Sequence, residues 1–197
     1  LSRDGDSEAV GARTLREAPE DFALARLSMG GYVAQEIMHQ APEWVTRMAL
    51  LDTSALADTP MQRQQPSGFI EQTQEGNFKG VTSRLLPMLI HKDRLGDMEM
   101  SSKIMTMAKN IGKEAFIHQQ LLIVCRKDSF DVLVCVSCPT VVICGRQDNL
   151  TPLGQHQAMT DAIFGAVLIA IEESGHLSPI EEPHVSAACA SGYRYKK

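Results

Sequence analysis

Short runs that are apolar at almost every position alternate along this chain with stretches whose apolar residues recur at helical spacing. Phe22 to Leu27, Arg47 to Asp52, Pro139 to Cys144 and Ala166 to Ile171 are runs of the first kind. Strands apolar on both faces suit a parallel sheet covered by helices. These runs therefore predict parallel strands near 22–27, 47–52, 140–145 and 166–171. Helical spacing follows the first run, with Val33, Ile37 and Met38 between Gly30 and Gln40. It also follows the third run, from Leu153 to Ile163, with Gly165 as the stop signal. Strand–helix–strand twice over predicts βαβ units and an α/β fold, a mostly parallel sheet flanked by helices.

The stretch from 55 to 131 has a different character. It holds most of the methionines and little β-branched continuity. Val81 with Leu85 and Leu86, Ile104 and Met105 with Ala108, and the segment 115–122 all read as helical. The expected organisation is a core made of 1–54 and 132–197 with a helical insert over 55–131. After Pro183 a short helix over 184–190 and a polar tail from Ser191 to Lys197 are expected.

Composition narrows the classes. The 197 residues fit one domain, or one core plus a small insert. With 44% hydrophobic residues the chain can bury a core. Lys and Arg number 19 against 24 Asp and Glu, a formal charge of −5, so no net positive field draws in phosphates and a nucleic-acid partner is not expected. No apolar run approaches the roughly 18 residues of a membrane-spanning helix, and no membrane partner is expected. The first eight residues are polar and acidic, unlike a signal peptide. Five irregularly spaced cysteines do not make a disulfide scaffold, and a reducing, cytoplasmic compartment is the expectation.

Three residues carry candidate chemistry, and each follows a separate predicted strand. Ser28, in Arg26-Leu27-Ser28-Met29-Gly30-Gly31, stands where a strand gives way to a helix. There it is either an ordinary helix cap or a hydroxyl displayed on a sharp turn. Asp148 lies on the loop after 139–144, ahead of Thr151 and Pro152, and a turn aspartate is the ordinary alternative. His176, in Ser174-Gly175-His176, lies on the loop after 166–171. A serine hydroxyl is a weak nucleophile until an imidazole takes its proton, and the imidazole needs a carboxylate to fix its tautomer. The chain order Ser, Asp, His at three strand ends matches that requirement.

The segments LSMGGYVAQEI at 27–37, MALLDTSA at 48–55, CPTVVICGRQDNLTP at 138–152 and ESGHLSPIEEP at 173–183 resemble the α/β-hydrolase fold family, in its bacterial small-esterase-like branch. The resemblance extends up to Pro183. It implies Ser28 as nucleophile, Asp148 as acid, His176 as base and the Met29 backbone N–H as one oxyanion donor. It further implies that the 55–131 insert is a lid. The implied activity is hydrolysis of a small ester or related acyl substrate through an acyl-enzyme, with no cofactor and no metal. Relatives in the fold also open lactones, cleave carbon–carbon bonds or transfer acyl groups.

Three departures from the family pattern shape the expectations. Arg26 replaces the first glycine of G-x-S-x-G, so its side chain either bends outward or overpacks the turn. Leu1 in first place and the missing early strands suggest a truncated chain, without the loop that supplies a second oxyanion N–H. Such a chain would expose a strand edge open to self-association. The third departure is the polar tail in place of a long final helix. A silent remnant of the fold, acting as a binding module, is the alternative in another class.

The remaining features point to ordinary packing. Cys135 and Cys138 have CxxC spacing without a second pair, so a zinc or redox role is not expected. Cys144 is expected in the core. His39, His91, His118, His156 and His184 lack metal-like pairing and are expected on surfaces or helix faces. Met98, Met100, Met105 and Met107 are expected to pack in the core or the insert. Neither GxGxxG nor a P-loop occurs.

Overall fold

The computed structural model describes residues 6–74 and 85–191. Val81 and the tail beyond Ser191 lie outside the described residues. Strands β1 (Phe22–Leu27), β2 (Val45–Leu51), β3 (Thr140–Gly145) and β4 (Val167–Ile171) form a four-stranded sheet in the order β1-β2-β3-β4. All three pairings are parallel, and Leu27 lies beside Leu51, Leu51 beside Ile143, and Gly145 beside Ile171. The carboxyl ends of all four strands therefore share one edge.

Helix α1 (Ser7–Glu17) precedes β1, with the Asp6 carboxylate capping its first turn through the Ala9 N–H at 2.7 Å. Sequence patterning did not mark it, because only Val10 and Gly11 of its residues are buried. Helix α2 (Met29–Gln40) links β1 to β2. Between β2 and β3 come α3 (Pro60–Gln74), α4 (Leu86–Leu89), α5 (Met98–Ile111), α6 (Lys113–Val124) and α7 (Phe130–Leu133). Helix α8 (Leu153–Ala162) links β3 to β4, and α9 (Ser178–Glu181) and α10 (Pro183–Ala190) follow.

Alternation along the strands divides the core. Leu24, Met48, Leu50 and Val142 face Val33, Ile37, Met38, Met159 and Ile163 on one side of the sheet. Ala49, Leu51, Ile143 and Ile171 face Val185 and Cys189 on the other. A third cluster joins Leu86, Ile90 and Ile104 of the insert to Leu177 and Ile180 beyond β4. None of the described helices is long and apolar enough to cross a membrane.

Candidate active site

Ser28 is the residue at which β1 becomes α2, and it sits at φ 51°, ψ −123°. A side chain in that region costs about 1–3 kcal/mol and persists only where the surroundings over-determine it. They do here. The Ser28 N–H donates to the Leu51 carbonyl at 2.9 Å, and the Ser28 carbonyl accepts from the Gly31 N–H and the Thr53 hydroxyl, both at 2.8 Å. Thr53 is fixed in turn, because its N–H donates to Nε2 of His156 at 3.0 Å. Burial lowers the His156 pKa to about 4, so the ring is neutral and that nitrogen accepts.

Arg26 does not overpack this turn. Its stem lies along Gly30, where a Cβ would come within 3.3 Å of the Arg26 Cδ. Its guanidinium bends back to donate to the Ala25 carbonyl at 3.2 Å. A hydrogen at position 30 thus compensates for the large residue at position 26.

Asp148 follows the end of β3 and is buried. Its Oδ1 accepts from the N–H groups of Leu150 at 2.8 Å and Thr151 at 3.0 Å, and its Oδ2 accepts from the Thr151 hydroxyl at 2.6 Å. The same Oδ2 lies 2.9 Å from Nδ1 of His176, and Nε2 of His176 lies 2.7 Å from the Ser28 Oγ. Burial raises the Asp148 carboxyl, but the bond and charge of His176 and the Thr151 bonds outweigh it and hold the group below the usual carboxylate value. An ionised Asp148 takes the Nδ1 proton as partner, which leaves the Nε2 lone pair facing the serine O–H. The three candidates thus form one hydrogen-bonded line across three strand ends.

Two further buried carboxylates surround His176. Asp52, directly after β2, accepts from the Gly145 N–H at 2.8 Å and from the Ser178 N–H and hydroxyl at 3.1 and 2.6 Å. Burial pushes its carboxyl up to about 7 despite those bonds. Glu181 accepts from the Gly175 N–H at 2.7 Å and the His91 N–H at 2.6 Å. Sequence reading singled out neither carboxylate, nor Thr151. The only local hint for Thr151 was its position three residues after Asp148, where a hydroxyl can close a turn.

Other expectations divide. Cys144 is in the core, where burial raises its thiol to about 12. Cys135 is an exposed free thiol and Cys138 a half-buried one. His91 and His156 are buried: the His91 ring accepts from the nearby Asp93 N–H, and His156, on a buried face of α8, accepts from the distant Thr53 N–H. Met98 and Met107 point to solvent instead of packing, whereas Met100 joins the insert cluster.

Residues 27–183 match the model of the alpha/beta hydrolase fold family. Among solved structures, a thermophilic esterase from Thermogutta terrifontis superposes with a TM-score of 0.86 at 26% identity, over 97% of this chain and 73% of that one. A hydrolase from Pseudomonas aeruginosa PA01 gives 0.83 at 21% identity, over 98% and 74%. The enol-lactonase from Burkholderia xenovorans LB400 gives 0.79 at 19% identity, over 94% and 72%. Among curated proteins, none matches the sequence. The fold, the family match and these neighbours agree: the chain belongs to the α/β-hydrolase fold family and is an enzyme of the hydrolase class.

Proposed function

We propose that this enzyme hydrolyses a small ester or related acyl substrate through an acyl-enzyme on Ser28. The observation that carries the reading is the line Ser28 Oγ, His176 Nε2 at 2.7 Å, and His176 Nδ1 to Asp148 Oδ2 at 2.9 Å, mounted on a strained turn. Ser28 Oγ attacks the carbonyl carbon while Nε2 takes its proton, and the carbonyl oxygen becomes an oxyanion. The Met29 N–H, in the first turn of α2, is one donor to it. Collapse expels the alcohol, which leaves with the proton from Nε2. Water then repeats the attack on the acyl-serine, with Nε2 again receiving and returning the proton. Asp148 keeps Nδ1 protonated and answers the transient imidazolium charge.

A lactone would open by the same steps, its alcohol remaining tethered to the acid. The likeness to the Thermogutta terrifontis protein, named an esterase, supports an open-chain ester. The insert would form the lid of the acyl pocket. The free thiols fit a reducing, cytoplasmic compartment.

The test is turnover of p-nitrophenyl acetate and butyrate by the chain and by Ser28→Ala, with labelling by a fluorophosphonate. Ser28-dependent turnover and labelling are expected, with a loss on the order of a millionfold in the variant. Equal turnover in the two proteins would overturn the reading.

A further inference from the structure

The loop that carries His176 is gripped by the insert on both sides of the histidine. On one side the Leu177 N–H donates to the Leu89 carbonyl at 3.0 Å, and Leu177 packs with Leu86, Ile90 and Ile104. On the other, the insert backbone runs so close to Gly175 that a Cβ there would lie 2.8 Å from the Ile90 carbonyl carbon and 2.9 Å from the His91 nitrogen. Glu181 spans this junction. Its Oε1 accepts from the Gly175 N–H at 2.7 Å and lies 3.4 Å from the Ser174 hydroxyl, and its Oε2 accepts from the His91 N–H at 2.6 Å. Glu181 is only 4% exposed. The neighbouring Glu182 pairs with Arg94 across the same seam.

We propose that Glu181 is a positioning residue: its carboxylate ties the insert at His91 to the backbone beside His176, so that the seating of the insert sets where Nε2 stands relative to Ser28. The chemistry suits the task. The donors at this junction are N–H and O–H groups on two segments, Ser174 and Gly175 on one and His91 on the other, and only a carboxylate offers two oxygens that both accept. A glutamine in its place must turn an NH2 group toward one of two backbone N–H groups. One segment then loses its partner while the side-chain volume stays the same. The expected consequence is a shift of the histidine against the serine. Displacements of about 1 Å at reacting groups cost on the order of 100-fold in rate.

This inference rests on the acyl-enzyme reading, and the experiment separates the two. Steady-state kinetics on p-nitrophenyl butyrate are measured for the chain, Ser28→Ala, Glu181→Gln, His91→Ala and His91→Pro, with a melting transition for each to confirm folding. His91 sits at φ −59° and Ile90 at φ −130°, ψ 162°, a backbone that accepts proline. Proline removes the N–H that Glu181 accepts and sets a ring carbon against the carboxylate, whereas alanine keeps the N–H and removes only the imidazole. The expected result is a kcat lowered about 100-fold in Glu181→Gln, with KM within about twofold, and a kcat at least about tenfold lower in the proline variant than in the alanine variant. A folded Glu181→Gln with undiminished Ser28-dependent kcat, or one that raises KM alone, overturns the inference. So do equal kcat values for His91→Pro and His91→Ala, and that pair decides the matter should Glu181→Gln fail to fold. Turnover by the chain no faster than by Ser28→Ala overturns the acyl-enzyme reading, and this inference with it.

Discussion

The turns after β2 and β3 each place an aspartate at the same edge of the sheet, on adjacent parallel strands, and both carboxyls are buried. Their acidities move in opposite directions. Burial raises both. In Asp148 the bond and charge of His176, with the Thr151 bonds, reverse that effect, whereas Asp52 is pushed up to about 7. Asp52 also has good hydrogen bonds, from Gly145 and Ser178, but these come from neutral groups. What separates the two is a direct hydrogen bond to the His176 ring, a partner that can itself become a cation and whose charge acts on Asp52 without such a bond. A carboxylate at the end of a strand is thus suited to work with the base only if that ring can contact it. Asp52 instead pins the end of β3 to the segment beyond His176.

Replacing each aspartate by its amide breaks the comparison at its strongest point. Asp148→Asn removes the partner that fixes the Nδ1 proton, and kcat is expected to fall on the order of 10,000-fold with the fold retained. A larger loss in Asp52→Asn than in Asp148→Asn would reverse the assignment. The second test concerns stability. The folded state holds the Asp52 proton to about pH 7, whereas the unfolded chain releases it near 3.8, as an ordinary aspartate does. Between those values the folded state binds more protons, so stability falls as pH rises, by up to about 1.4 kcal/mol per unit. Urea midpoints of the chain and of Asp52→Asn are expected to diverge across this window, with the original losing ground toward pH 7 and the difference constant above it. The smallest effect belongs to Thr151→Val, which removes one hydroxyl donor to Asp148 and leaves His176 in place. A loss of about 0.5–1.5 kcal/mol in stability is expected, with kcat lowered by less than about tenfold. A kcat loss comparable to that of Asp148→Asn would show that Thr151 holds the aspartate in position.

Most of the fold was legible because the strands are apolar on both faces. The runs at 22–27 and 140–145 coincide with β1 and β3. β2 begins two residues before its apolar run, at Val45, because the polar, exposed Thr46 separates Val45 from that run. Helix α1 was hidden because it presents so little to the core. Ser28, Asp148 and His176 could be found because each stands directly after such a run. Asp52, His156 and Glu181 could not be assigned their contacts, since their partners lie far away along the chain. The Ser178 that Asp52 holds is 126 positions distant, Thr53 is 103 from His156, and His91 is 90 from Glu181. Local periodicity reports which way a side chain faces, not which remote backbone it meets. The Arg26 substitution shows the same limit on a shorter scale. Its size suggested a clash, and the neighbour that accommodates it, Gly30, was already in the motif.

Beside the histidine loop, three stretches of main chain are stacked with no side chain between them. A Cβ at Gly145 would fall 2.0 Å from the Gly175 carbonyl oxygen, and one at Gly175 would fall against Ile90 and His91. Clearances of that size leave nothing for a flexible neighbour to yield, because each obstacle is backbone. In a library randomised at both positions and selected for turnover, the survivors would carry glycine at 145 and 175 alike, whatever ester was used for the selection. The two positions would therefore be silent about substrate preference.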